Sequence, residues 1–91
     1  GSGILGLAAL KLFPEAKVDF YDIDPEANKN CYENSVLNGL SEAKFRLLLP
    51  QYRNLLLPSY DLVFANILEG ILLEEKDFLV SRVRAQGHLI L

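Results

Sequence analysis

The residues with the most chemical content stand at three places. Gly1, Gly3 and Gly6 fall within the opening Gly1-Ser2-Gly3-Ile4-Leu5-Gly6, which runs straight into an apolar helical pattern. Glycines let a backbone pass close to a ligand and aim its N–H groups at it. Asp22 and Asp24 follow roughly 20 residues later, after a strand-like run, a spacing that belongs to nucleotide-binding α/β units. A carboxylate at a strand end can accept both hydroxyls of a ribose, through charge-assisted bonds worth roughly 1.5–3 kcal/mol each. Asn66 is the third place, in Asp61-Leu62-Val63-Phe64-Ala65-Asn66-Ile67-Leu68, directly after another strand-like run. Ligands of open α/β sheets bind at the carboxyl ends of strands. An amide between apolar residues must find hydrogen-bond partners, and a substrate can supply them.

The glycine loop and the acid do not by themselves choose a ligand. A nicotinamide-dependent oxidoreductase, using NAD or NADP, shares both, and a non-catalytic binding module can retain both. Asp24 is better explained as the N-cap of a helix than as a ligand contact. Cys31 lies in a helical stretch with no His nearby in sequence and reads as a packed thiol. His88 sits in an apolar run and reads as structural. One Cys and one His cannot assemble a metal cluster, so no metal is expected.

These residues need elements to hold them, and the pattern alternates helix and strand as in an open parallel sheet. Residues 4–12 predict a helix, with Pro14 shortly after its end. Val18 to Ile23 predict a strand. Asp24-Pro25-Glu26 opens a second helix that runs to about Leu37 and closes at Asn38-Gly39. Lys44 to Leu49 predict a short strand ended by Pro50, and residues 51–59 a loop or turn. Tyr60 to Ala65 predict a strand, Leu72 to Arg84 a helix, and Gly87 to Leu91 a last strand. A glycine loop of this kind follows a strand in such folds, and that strand occupies the centre of the sheet. The chain is therefore expected to be a piece of a larger domain.

Composition sets the outer limits. Ninety-one residues make at most one domain, and 51% hydrophobic with 23% charged residues is a globular balance. The net charge of −3 offers no basic stripe for nucleic acid. A single cysteine forms no internal disulfide and points to a reducing, cytoplasmic setting. The apolar run from Gly3 is broken by Lys11 and is too short to span a bilayer, so no membrane partner is expected.

Taken together, Gly1-Ser2-Gly3-Ile4-Leu5, Tyr21-Asp22-Ile23-Asp24-Pro25-Glu26-Ala27, Asn38-Gly39 and the Ala65-Asn66-Ile67-Leu68 segment resemble one family closely. They look like the cofactor domain of ribosomal protein methyltransferases of the PrmA type. The Gly-Ser-Gly part is shared by many methyltransferases, and the Ala-Asn-Ile-Leu part is more specific. The resemblance implies an α/β, Rossmann-like class I fold dependent on S-adenosylmethionine. Residues 1–91 would form part of that domain, with the first and last strands and a substrate-recognition domain outside them. It implies that Gly1 and Gly3 lie under the methionine portion and that Asp22 binds the ribose hydroxyls. It places Asn66 near the reactive methyl and the incoming amine. It implies as substrate the amino groups, mainly on lysines, of large-subunit ribosomal protein eleven.

Overall fold

Seven regular elements appear in the expected order in the computed structural model, which describes residues 2–65 and 69–90. They are helix α1 (Ile4–Leu12), strand β1 (Val18–Tyr21), helix α2 (Pro25–Leu37), strand β2 (Phe45–Leu48), strand β3 (Tyr60–Phe64), helix α3 (Glu69–Ser81) and strand β4 (Val83–Ile90). Two 3-10 turns, Glu42–Lys44 and Pro50–Leu55, flank β2. The second is a turn within the loop or turn expected over 51–59.

Helix α2 starts and stops where its residues dictate. Asp24 is extended, its carboxylate accepts the Glu26 N–H at 2.9 Å, and Pro25 occupies a first-turn position that needs no N–H donor. Beyond Leu37, Gly39 takes a left-handed φ of 66°, which a side chain would resist.

The chain forms two compact units, Gly1–Leu56 and Leu57–Leu91. In the first, β1 and β2 pair in parallel, with Val18 opposite Phe45 and Tyr21 opposite Leu48. Leu7 and Leu10 of α1 are buried with Phe45, and Val18, Phe20 and Leu47 pack around them. Phe20 and Phe45 meet edge to face, centroids 6.1 Å apart. Helix α2 buries Ala27, Cys31 and Ser35, residues four apart on one face. Arg46 forks onto Asp19, its cross-strand partner, at 2.8 and 2.7 Å and also donates to the Leu55 carbonyl.

In the second unit, β3 and β4 also pair in parallel. Tyr60 lies opposite Val83, but Leu62 lies opposite His88, so β4 bulges between these points. Gln86 takes a φ of 65° in the bulge. Gly87 packs so closely that a Cβ there would stand 2.8 Å from the Asp61 carbonyl. Arg84 pairs with Asp61 across the bulge. The Arg82 guanidinium lies 4.8 Å from the Phe78 ring centroid.

Several boundaries differ from the sequence expectation. Strand β1 ends at Tyr21 rather than Ile23, because the Asp22 carboxylate accepts the Asp24 N–H and turns the chain. Helix α3 runs from Glu69 to Ser81 rather than from Leu72 to Arg84. Parallel pairing of Val83 with Tyr60 overrides the helical periodicity there, and β4 starts at Val83 rather than Gly87. The expected parallel pairing is present, but as two two-stranded sheets rather than one.

Candidate functional site

Gly3 and Asp22 both belong to the first unit, and the structure shows what fixes each. Gly3 is the N-cap of α1 in left-handed conformation, φ 81°, and its carbonyl accepts the first intrahelical bond, from Leu7 N–H at 2.9 Å. The N–H groups of Ile4, Leu5 and Gly6 therefore have no helix carbonyl four residues back to bond to. They form the positive end of the α1 dipole, a natural seat for an anionic group. Among the described residues, no side chain caps this terminus.

The glycines also answer to packing. A Cβ on Gly3 would lie 2.3 Å from Cys31 Sγ, and one on Gly6 would lie 2.3 Å from Phe20 Cε1. The left-handed turn and the closeness of α2 thus require glycine at 3. The seating of α1 against β1 requires it at 6. Asn34, one turn beyond Cys31, donates its side-chain amide to the Ser2 carbonyl at 3.1 Å.

Asp22 stands just past the carboxyl end of β1, half-buried, with its backbone N–H on the Leu48 carbonyl at 3.3 Å. Its Oδ1 accepts the Asp24 N–H at 2.9 Å. Partial burial pushes its carboxyl up. The backbone N–H groups of Asp24 and Ile23 act the other way, and its carboxyl lies below the usual 3.8. The N–H contributions belong to the turn itself. Asp24 has its own task as the α2 cap, as its sequence position suggested.

Sequence reasoning passed over Ile23 and Asn34. Ile23 is 69% exposed between the two acids, an apolar side chain held in solvent beside a candidate ribose contact. Its signal was its place in Asp22-Ile23-Asp24. Asn34 had no local signal, because its partner is distant in sequence. Cys31 is buried, and burial pushes its thiol up, in keeping with a packed residue. Gly1 and Asn66 lie outside the described residues. Ala65, next to Asn66 in sequence, is buried, and its N–H donates to the Ile90 carbonyl at 2.9 Å.

A family model described as ribosomal protein L11 methyltransferase (PrmA) matches residues 1–91, the entire chain. The chain belongs to that family. Ribosomal protein L11 methyltransferases of Alteromonas mediterranea and Azotobacter vinelandii are each 44% identical over 91 residues. That of Saccharophagus degradans is 40% identical over the same length. These matches cover 100% of the chain and 30% of each relative, so the chain spans under a third of the PrmA-family proteins it matches. No solved structure matches it significantly. No helix among the described residues is long and apolar enough to cross a membrane.

Proposed function

We propose that the protein carrying this chain transfers a methyl group from S-adenosylmethionine to lysine amino groups of large-subunit ribosomal protein eleven. The chain would supply part of the cofactor domain, in a Rossmann-like class I fold. The observation that carries this reading is the family match over all 91 residues, with relatives named for that activity. The geometry of the first unit fits the cofactor. Asp22, beyond a parallel strand, offers a carboxylate for the ribose hydroxyls. The α1 N-terminus at Gly3 offers N–H groups for the amino-acid carboxylate. Ile23 offers apolar surface for the adenine ring.

S-adenosylmethionine supplies an electrophilic methyl on a sulfonium sulfur. The chain's residues have to hold the donor and orient the acceptor, since displacement needs an in-line approach to about 3–3.5 Å. A free lysine titrates near 10.4, so the acceptor must lose a proton before its lone pair can attack. A desolvated site favours the neutral amine. Asn66 is proposed to accept an N–H of that amine on its carboxamide oxygen, which aims the lone pair. The cytoplasm, where ribosomes work, is the proposed setting.

Methyl-labelled S-adenosylmethionine, incubated with the intact protein and large-subunit ribosomal protein eleven, should label lysine side chains of the latter. Absence of label there would contradict the substrate. Asn66→Ala should lower turnover at least about tenfold, in the range of lost positioning effects, with cofactor affinity little changed. Equal loss of both would remove Asn66 from the role.

A further inference from the structure

We infer that Asn34 is a positioning residue for the glycine loop, and that α2 sets the distance between that loop and Asp22. The inference rests on the cofactor reading above.

Helix α2 is tied to the site at two points. At its start, the Asp24 carboxylate accepts the Glu26 N–H at 2.9 Å, while the Asp24 N–H donates to Asp22 Oδ1 at 2.9 Å. The first turn of α2 and the Asp22 carboxylate are thus joined by consecutive hydrogen bonds. Farther along, Cys31 and Asn34 are three residues apart and face the same neighbour. Cys31 Sγ fills the space beside Gly3, which fixes how near the loop lies. Packing alone leaves the peptide plane free to rotate. The Asn34 carboxamide restrains it, because its Nδ2 donates to the Ser2 carbonyl at 3.1 Å. Ser2 and Gly3 share the peptide unit whose carbonyl Asn34 holds. Its orientation therefore sets the path into the left-handed Gly3 and the direction of the α1 N-terminal N–H groups.

The ligand has two chemically distinct ends. The ribose diol belongs with the Asp22 carboxylate. The only carboxylate of S-adenosylhomocysteine lies on its amino-acid tail, and the electropositive α1 terminus is where an anion is stabilised. A residue that orients the loop therefore acts on the tail and not on the nucleoside. A residue that only supports the fold would affect both.

The test is calorimetric titration of the intact protein, native and variant, with S-adenosylhomocysteine and with adenosine, which lacks the tail. Asn34→Leu keeps the side-chain size and removes the donor without adding charge. It should weaken S-adenosylhomocysteine about three- to tenfold, the scale of one lost hydrogen bond, and leave adenosine within about twofold. Asn34→Gln keeps a carboxamide donor on a longer arm. It should lose less, and it serves as the second variant if Asn34→Leu does not fold. Parallel weakening of both ligands, or undiminished binding of S-adenosylhomocysteine, would overturn the positioning role. A native protein that binds neither ligand would remove the cofactor reading itself, and this inference with it.

Discussion

The Asp22 carboxylate accepts the Asp24 N–H at 2.9 Å, which turns the chain out of β1, and the proposed ribose contact would use the same group. The turn favours the ionised form. Its stabilising effect is therefore complete above the usual 3.8 and is lost as pH falls through the lowered folded value. Carboxyl NMR titration of Asp22 in this chain should give a midpoint below 3.8. A midpoint at or above that value would show that burial dominates instead. The Asp24 cap and the place of Asp22 at a strand end were legible in the sequence, because Asp-Pro helix starts and strand-end acids are local signals. The Asn34–Ser2 bond was not, since it spans 32 residues and depends on how α2 packs.

At the scale of elements, α1 lies close to β1 because Gly6 leaves room for Phe20. Alanine in place of glycine inside a helix ordinarily stabilises by about 1 kcal/mol. Here the added Cβ would meet Phe20 Cε1 at 2.3 Å and Cζ at 2.6 Å. Overpacking of this kind costs about 1–3 kcal/mol, so Gly6→Ala should destabilise the fold despite its better propensity. A higher urea midpoint for the variant would contradict this seating of α1. The order of helices and strands was readable from hydrophobic period and turn residues. The ends of α3 and β4 were not. Val83 and Arg84 continue a helical pattern, and only pairing across to Tyr60 makes them strand. The bulge at Gln86 likewise answers to the partner strand and not to local preference.

At the scale of the whole molecule, the buried hydrophobic set among the described residues is small: Leu7, Leu10, Ala27, Cys31, Phe45, Leu48 and Ala65. Large apolar side chains such as Ile4, Leu12 and Leu37 stand more than 70% exposed. Each sheet has two strands, and a two-stranded sheet is marginal without further partners. The 91-residue chain alone should therefore unfold over a broad range, with an enthalpy well under the roughly 0.7 kcal/mol per residue of cooperative domains. A single sharp calorimetric transition at that enthalpy would show that the two units form one cooperative domain. How the strands divide into sheets needed the structure.

The proposed role of the glycine loop and Asp22 is to hold the tail and the nucleoside of a methyl donor. Its most direct test is calorimetric titration of the intact protein with S-adenosylhomocysteine, with NAD as the comparison ligand, repeated for Asp22→Ala. Binding of S-adenosylhomocysteine alone is expected, weakened at least about tenfold in Asp22→Ala by the loss of a charge-assisted bond. Binding of NAD in its place, or an affinity unchanged by Asp22→Ala, would contradict it.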